Sequence, residues 1–282
     1  MSRNFLLLAM LIVMTFFGNH VAGAQKADKP TGSSEKLKIM SYNIHHAVGE
    51  DGRLDLERIA EVIEDANADI IGLQEVDNHW SSRSDFQDQA SLLAERLGMF
   101  YTYAANLDVE PAEEGEPRRQ YGTAILSKYP ILKSENHSLT RVGDTEQRGL
   151  LEAVINVKGS HVHVFNTHLA LTPEESETQI QEVVDIAEQS KGPKVIMGDL
   201  NAVPESDEMV PMYAHYKDAF NGQDDAYTYS AENPTKRIDY IFTSEDLGVQ
   251  NSSVIDTLAS DHLPITTEIL LDGPYTYYKG NN

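Results

Sequence analysis

The sequence contains no cysteine, and this absence removes several kinds of chemistry. The chain can form no disulfide, no thiolate nucleophile and no cysteine-ligated zinc site. With 282 residues, it can bury enough apolar surface to fold without such cross-links. Hydrophobic residues make up 40% of the chain and charged residues 24%, so we expect a soluble globular protein rather than a disordered one.

Positive charge is also scarce. The chain has 22 Lys and Arg residues against 45 Asp and Glu residues, and its formal net charge is −23. Non-specific affinity for a polyanion such as duplex DNA comes from Lys and Arg on phosphates, and no basic tract with interleaved aromatic residues is present. The acidity therefore disfavours a nucleic-acid partner without excluding one, and it favours small or locally neutral substrates.

The only long apolar run lies near the N-terminus. It extends from Phe5 to Phe17, follows Arg3, and precedes Ala22-Gly23-Ala24, which fits the small-x-small pattern of a cleavage site. A membrane anchor is the alternative, but the run is shorter than the ~18 residues that usually span a bilayer. We predict a cleaved signal peptide over residues 1–24, export to the periplasm or the extracellular space, and no transmembrane segment after cleavage.

The remaining chain shows no internal repeat and no Pro/Gly-rich break between domains. Residues 25–36 are polar, contain Pro30 and Gly32, and are predicted to form a linker. We predict one domain over residues 37–271, a C-terminal tail over residues 272–282, and a monomer.

Hydrophobic spacing predicts that helices stand between groups of strands rather than in strict alternation with them. This order favours an α+β fold, a four-layer α/β/β/α sandwich of two packed mixed β-sheets flanked by helices. The predicted strands are Lys36 to Ile44, Asp69 to Leu73, Phe100 to Ala104, Gly122 to Ser127, Ile131 to Leu139, Gly149 to Val157, His161 to Asn166, Lys194 to Met197, Ile238 to Thr243, Ser252 to Asp256 and Pro264 to Leu270. The predicted helices are Leu54 to Ala66, Gln87 to Leu97 and Pro173 to Ser190.

Polar residues recur where these predicted strands end. Each one alone is typical of a solvated turn, an Asx-turn or a hydrogen-bonded core histidine. Their coincidence indicates a function, because the strand ends of a rigid sheet can aim several side chains into one cleft. The set is Asn43, Glu75, His168, Asp199, Asn201, Asp239, Asp261 and His262.

Seven short motifs around these residues resemble the endonuclease/exonuclease/phosphatase superfamily, in family order and over nearly the whole predicted domain. The fold of that superfamily is the fold of pancreatic deoxyribonuclease, abasic-site endonucleases and neutral sphingomyelinases. The motifs are Met40-Ser41-Tyr42-Asn43, Leu73-Gln74-Glu75-Val76-Asp77, Gly122-Thr123-Ala124-Ile125-Leu126-Ser127, Asn166-Thr167-His168-Leu169, Gly198-Asp199-Leu200-Asn201, Arg237-Ile238-Asp239-Tyr240 and Ser260-Asp261-His262.

The resemblance implies a Mg²⁺-dependent phosphoester hydrolase. Glu75 would be the main anchor of the cation, supported by Asn43 and Asp261 directly or through water, and Mn²⁺ is the alternative cation. Attack by water would be in line, without a covalent intermediate, and nothing in the sequence marks a serine nucleophile or a phosphate-cradling glycine loop.

The resemblance also implies catalytic roles for five residues. Asp199 would orient or deprotonate the water, and Asn201 would hold that geometry and donate to a phosphate oxygen. His262 would contact a phosphate oxygen, with Asp239 fixing its tautomer. His168 would bind the opposite phosphate oxygen or protonate the leaving group.

Three further residues are candidates for substrate contacts. His45 stands where some nucleases of the superfamily carry an acidic residue, so it could change metal or substrate contacts, or simply belong to a polar loop. Arg148 could clamp a phosphate in bidentate fashion or form a surface ion pair. Arg83 lies in a loop with the only Trp, which is either a substrate rim or an ordinary packed loop.

The sequence therefore favours an exported phosphodiesterase acting on a lipid headgroup or another small phosphoester. A secreted nuclease and an inositol or polyol phosphate phosphatase remain alternatives with the same chemistry. A catalytically silent binding module is the alternative from another class, and it is disfavoured because every motif position is filled.

Overall fold

The computed structural model describes residues 34–272 of the chain, so the predicted signal peptide, most of the linker and nearly all of the tail lie outside the described residues. No helix within this range is long and apolar enough to cross a membrane. The strands of this range are β1 (Glu35–Asn43), β2 (Ile70–Asn78), β3 (Phe100–Val109), β4 (Arg119–Ser127), β5 (Ile131–Ser138), β6 (Gly149–Val157), β7 (Ser160–His168), β8 (Lys194–Asp199), β9 (Lys217–Asp218), β10 (Asp239–Thr243), β11 (Gly248–Val254) and β12 (Ile265–Leu271). The α-helices are α1 (Leu56–Ala66), α2 (Gln89–Leu97), α3 (Pro173–Gln189) and α4 (Val210–His215).

The strands form two six-stranded mixed sheets. The first sheet has the order β11-β12-β1-β2-β4-β3, and the second has the order β5-β6-β7-β8-β10-β9. The pairs β1–β2 and β7–β8 are parallel, and the other pairs are antiparallel. Each parallel pair is joined through a helix, α1 in the first sheet and α3 in the second, as a parallel connection requires.

Three buried clusters define four layers. Between the sheets, Ile39 and Ile125 of the first sheet share a cluster with Val164 of the second. The outer face of the first sheet is covered by α1 and α2, and the outer face of the second by α3 and α4. Each fully buried side chain of this size stabilises the fold by about 1.5–3 kcal/mol. The predicted α/β/β/α sandwich is confirmed.

Local sequence fixes the helices that cover the first sheet. The side chain of Asp55 accepts a hydrogen bond from the backbone N–H of Arg58 at the start of α1. Asp88 caps α2 in the same way, and Gly98 ends α2 with a φ of 64°. These caps satisfy N–H groups that a helix start leaves without partners, so both helices begin where the sequence supplies a short carboxylate.

One polar contact joins the two sheets inside the core. Gln74 Nε2 donates to Asn166 Oδ1 at 2.6 Å, and Asn166 Nδ2 donates to the carbonyl groups of Leu73 and Ala124 at 2.8 and 2.9 Å. A Cβ atom at Gly72 would lie 2.8 Å from Asn166 Oδ1, so only glycine leaves room for this amide. Gln74 and Asn166 belong to the motifs of the resemblance, and in the structure they fix the spacing of the sheets.

We expect the Asn166→Ala variant to lose about 3 kcal/mol of unfolding free energy, because the substitution removes three buried hydrogen bonds. Urea unfolding at neutral pH measures this loss. The matched control is Asn233→Ala, since Asn233 is exposed. Equal stabilities of the two variants would contradict the proposed role of the buried amide.

A second polar cluster lies on the outer face of the second sheet. It is near the start of β7, away from the C-terminal end of that strand. Glu152 accepts hydrogen bonds from His137 at 3.1 Å, His163 at 3.0 Å and Ser190 at 3.0 Å. The hydrogen bond from His163 is the largest effect on the carboxyl group and, with those from His137 and Ser190, outweighs burial and lowers the pKa of Glu152 to about 2.

The lowered pKa of Glu152 predicts a pH-dependent contribution to stability. A carboxyl group with a depressed folded-state pKa stabilises the protein above its unfolded pKa, near 4.5, and this contribution is lost as the pH falls towards about 2. We expect Glu152→Gln to cost about 1 kcal/mol at pH 7, the partial exposure of the group reducing the effect. Urea unfolding should show this difference shrinking between pH 4.5 and pH 2. Glu61→Gln, at an exposed position on α1, is the control and should show no such trend.

Candidate active site

The predicted site residues meet at one edge of the sandwich. In the second sheet, His168 pairs in register with Asp199, and Asp199 pairs with Asp239, so three adjacent strands place these side chains in one row. In the first sheet, Asn43 is the last residue of β1. Because both sheets present strand ends at this edge, residues that lie far apart in the sequence converge there.

Glu75 reaches the site through an irregularity of β2. The register of β2 against β4 shifts between Leu73 and Val76, and Glu75 has a φ of 57°. Such a bulge changes the direction of a side chain relative to regular pleating. Glu75 therefore lies within its strand rather than at its end, where the sequence analysis placed it.

Asn43 makes polar contacts with several residues of the site. Its Nδ2 atom lies 3.1 Å from Glu75 Oε1 and 3.1 Å from Asp199 Oδ2. Its Oδ1 atom accepts the backbone N–H of His45 at 3.1 Å. Since a backbone N–H can only donate, this bond fixes the orientation of the amide. In this arrangement Asn43 positions the two carboxylates, and its predicted contact with the cation stays a prediction.

The turn after β8 fixes Asp199. The backbone N–H of Asn201 donates to Asp199 Oδ1 at 2.9 Å, and the side-chain amide of Asn201 donates to the carbonyl group of Leu169 at 3.0 Å. At Gly198, a Cβ atom would lie 2.0 Å from the carbonyl oxygen of Thr167, so the close approach of β7 requires glycine. The predicted role of Asn201 in holding Asp199 matches this geometry.

His262 lies between two buried carboxylates. Its Nδ1 atom is 2.9 Å from Asp239 Oδ2, and its Nε2 atom is 3.6 Å from Asp199 Oδ2. Burial disfavours the charged imidazole, but Asp239 and Asp199 outweigh it and raise the pKa of His262 to about 10. His262 is therefore an imidazolium at neutral pH, a donor suited to an anionic phosphate oxygen.

His168 differs from His262 in that its surroundings favour the neutral imidazole. Burial, followed by the positive charges of Arg148 and His262, holds the pKa of His168 well below its ordinary value. Its Nε2 atom lies 3.5 Å from Asp199 Oδ2. A neutral imidazole can donate one hydrogen bond to a phosphate oxygen, and it carries no surplus proton for a leaving group. A neutral imidazole suits the first of the two roles predicted for His168, and both stay predictions.

Asp199 is buried beside both histidines. Burial raises the pKa of Asp199 to about 7, although the charge of His262 and the hydrogen bonds from Asn201 and Asn43 oppose this shift. A general base is most effective when its pKa lies near the working pH. Asp199 therefore has the environment that proton abstraction from water requires.

A cleft of about 470 Å³ opens above these groups. Arg148 forms part of its wall, and its Nη1 atom lies 2.9 Å from Glu146 Oε1. Sequence reasoning included Arg148 and missed four other polar or aromatic residues of the wall, which come from loops or from strand faces. Two of them had a signal, since Tyr121 and Lys236 each directly precede a motif. These four residues are Tyr121, Glu146, Tyr229 and Lys236.

Arg83 and His45, which were also predicted to contact substrate, differ in where they lie relative to the cleft. Arg83 does not line the cleft. It donates to both oxygens of Asp77 at 2.9 and 2.6 Å, and its guanidinium lies over the rings of Trp80 and Tyr121. His45 lies beside the site, with Nδ1 3.8 Å from Asp261 Oδ1. Their contacts with substrate stay predictions.

The donor set of the cleft fits a divalent cation. Glu75 and Asp261 both line it, and their carboxylate oxygens are the ligands that hard cations prefer. A second group, formed by Asp199, Asp239 and His262, also brings potential ligand atoms within 4.8 Å of one another. In this second group, His262 Nδ1 lies 2.9 Å from Asp239 Oδ2, so two of its members already share a hydrogen bond.

Known proteins are similar to this chain in sequence or in fold. Uncharacterized protein YbhP of Escherichia coli is 26% identical over an alignment of 263 residues, and the match covers 83% of this chain and 96% of YbhP. A Beutenbergia cavernae protein of the endonuclease/exonuclease/phosphatase type is 26% identical with a TM-score of 0.68, covering 85% of this chain and 72% of that one. The mannosyl-6-phosphatase of Bacteroides thetaiotaomicron is 19% identical with a TM-score of 0.68, covering 83% of this chain and 99% of that one, and it shows a shared fold.

The sequence model of the Endonuclease/Exonuclease/phosphatase family matches residues 40–262, a range that begins beside Asn43 and ends at His262. This match covers most of the chain and all the strands that supply the site. The chain belongs to the endonuclease/exonuclease/phosphatase family, whose hydrolase fold it shares.

Proposed function

We propose that the chain is an exported, Mg²⁺-dependent phosphodiesterase that hydrolyses a small or lipid-type phosphodiester by in-line attack of water. One observation carries this proposal. The buried carboxylate of Asp199 lies within 3.6 Å of both His168 and His262 and accepts a hydrogen bond from Asn43. This places a base, a neutral donor and a cationic donor around one volume of about 470 Å³.

Each residue has a distinct task in this proposal. Asp199 takes a proton from the attacking water while Asn201 holds its carboxylate in place. The imidazolium of His262 and the N–H of His168 donate to phosphoryl oxygens, where negative charge grows in the transition state. Asp239 keeps His262 protonated and oriented.

Glu75 and Asp261 would hold the Mg²⁺, with Mn²⁺ as the alternative. When bound, the cation supplies positive charge to the phosphoryl group and to the departing oxygen. That charge is needed because the acidic residues lining the cleft outnumber the cationic ones. Without it, an anionic substrate would meet net repulsion.

The charge of the protein bears on the substrate class. The formal net charge of −23 opposes the polyphosphate backbone of nucleic acids, which disfavours a secreted nuclease. A single phosphodiester carries one negative charge, which Arg148, Lys236 and the cation can balance. Each monoester phosphate of an inositol or polyol phosphate carries about −1.5 to −2 at pH 7, so this alternative is less favoured.

A substrate panel tests the proposed class. Purified protein is incubated with glycerophosphodiesters, sphingomyelin, inositol phosphates, RNA and plasmid DNA, each with Mg²⁺ and with EDTA. We expect Mg²⁺-dependent turnover of a diester of small or lipid type. Faster release of inorganic phosphate from monoesters, or nicking of the plasmid as the fastest reaction, would replace the proposal with the corresponding alternative. No turnover by folded protein on any substrate would favour a binding module.

Export is a separate part of the proposal and rests on the N-terminal sequence alone. Expression of the full chain in a bacterial host, followed by fractionation and N-terminal sequencing, tests it. We expect the exported protein to begin at Gln25. A protein that keeps residues 1–24 and stays with the cell membrane would indicate an anchor instead.

A further inference from the structure

A cluster of nitrogen and oxygen ligands lies next to the carboxylates of the cleft. His45, His46 and Glu75 each offer one ligand atom, and these three atoms lie within 4.8 Å of one another. All three residues are half-buried. Glu75 thus belongs both to the cleft and to this group, which we call the histidine cluster.

The tautomer of His45 leaves one nitrogen free for a ligand. Its Nδ1 atom lies 3.1 Å from the carbonyl oxygen of Val48. A carbonyl oxygen can only accept, so Nδ1 carries the proton and Nε2 carries the lone pair. A backbone carbonyl that accepts from the second ring nitrogen is the usual partner of a metal-ligating histidine.

His46 has a buried nitrogen without a hydrogen-bond partner among the described residues, namely Nδ1. A buried polar atom in this condition is rare in folded proteins, and an ion or a water molecule commonly accounts for it. The imidazole rings of His45 and His46 meet edge to face, with centroids 4.5 Å apart, so the two residues share one small volume.

The backbone around the two imidazoles is held by hydrogen bonds on both sides. His45 and His46 have φ values of 44° and 41°, in the left-handed region that most side chains avoid. Asn43 Oδ1 accepts from the backbone of His45 at 3.1 Å, and Gln89 Nε2 donates to the carbonyl oxygen of His46 at 2.7 Å. Gln89 is fully buried at the start of α2, so the first sheet and its covering helix fix this loop.

We propose that the cation site of this chain extends from Glu75 to the imidazole nitrogens of His45 and His46, and that it therefore binds a transition-metal dication more tightly than an oxygen-only site would. Imidazole suits Zn²⁺, Cu²⁺, Fe²⁺ and Ni²⁺, and Co²⁺ stands between Fe²⁺ and Ni²⁺ in the usual affinity order, whereas Mg²⁺ prefers oxygen ligands and retains its waters. This proposal rests on the proposed function only in taking the bound cation to serve the reaction. Binding itself can be measured without turnover.

Titration of the full chain with Co²⁺ or Mg²⁺ alone tests the histidine cluster. Calorimetry gives the affinities, and the visible absorption of Co²⁺ reports a change in its ligands. The variants are His45→Asn and His46→Asn, since Asn accepts a positive φ more readily than most residues and lacks an imidazole. We expect each variant to lose ~10-fold or more in Co²⁺ affinity with a changed spectrum. Mg²⁺ affinity should stay within about twofold, since the imidazoles are not its preferred ligands.

His163→Asn is the matched control, because His163 belongs to the distant cluster around Glu152. It should leave the tight Co²⁺ binding and the spectrum unchanged. Unchanged Co²⁺ binding in both His45→Asn and His46→Asn would overturn the proposal, and so would equal losses for Co²⁺ and Mg²⁺, which indicate only a structural loop. Turnover of an aryl phosphodiester with Mg²⁺ is measured in parallel. If the protein turns over the substrate but its Co²⁺ binding does not depend on the two histidines, only this inference is refuted. If Co²⁺ binding depends on the histidines but no turnover is seen, only the proposed function is refuted.

Discussion

The Asp199→Asn variant should hydrolyse a phosphodiester on the order of 10³-fold more slowly than the wild-type chain, because a positioned general base contributes roughly 10²–10⁴-fold. Asn has nearly the shape of Asp, so the contacts with Asn43 and Asn201 can be kept in part. The variant loses the capacity to accept a proton, together with one acceptor oxygen and the negative charge beside His262. Burial raises the pKa of Asp199 to about 7, so this carboxylate can act as an effective base at neutral pH.

The experiment for Asp199 compares kcat and KM of the variant with those of the wild-type chain under saturating Mg²⁺. We expect the loss in kcat, with KM changed far less. Asp65→Asn is the control, since Asp65 is exposed on α1 and lies outside the cleft. Circular dichroism and urea unfolding establish that Asp199→Asn is folded. A folded variant with wild-type turnover would remove Asp199 from the catalytic machinery.

The His262→Ala variant should lose at least ~10²-fold in turnover, because it removes a charge-assisted donor from the position where phosphoryl charge develops. A structural loss accompanies the catalytic one. Asp239 and Asp199 are both buried and share the charge of His262. Removing the cation of a buried ion pair costs roughly 3–5 kcal/mol, so the single variant should be clearly less stable.

A double variant separates these two effects. In His262→Ala/Asp239→Ala, the carboxylate that faced His262 Nδ1 is removed together with the imidazole. We expect unfolding by urea to show that the double variant regains part of the lost stability, whereas its turnover stays as low as that of the single variant. Recovered turnover in the double variant would mean that His262 serves the fold alone.

The sequence predicted the layers, and it predicted that most of the candidate residues converge, because both depend on local patterns. Strand ends such as Asn43 and His168 can be read from the point where an apolar run stops. The register that places His168, Asp199 and Asp239 side by side follows once the strands are known to pair. The other candidate site residues were predicted from the order of the motifs along the chain.

The parts that could not be predicted depend on contacts between distant segments. The bulge that turns Glu75 into the cleft leaves no periodic signal, and β2 extends to Asn78 beyond the predicted end at Leu73. Arg83 stood near a motif, but its two bonds to Asp77 could not be read from spacing. Tyr229, whose ring lies 4.8 Å from that of His262, comes from a long stretch of loops whose path only the fold determines.

The central claim is that this cleft hydrolyses a phosphodiester with the help of a divalent cation held by Glu75. Its most direct test is the hydrolysis of bis(4-nitrophenyl) phosphate by EDTA-treated protein, before and after the addition of Mg²⁺ or Mn²⁺, in the wild-type chain and in Glu75→Gln. We predict no turnover in EDTA, recovery in the wild-type chain, and a strongly weakened response to the cation in the variant. Turnover that persists in EDTA, an unchanged cation response in Glu75→Gln, or no turnover by folded wild-type protein under any condition would contradict the account.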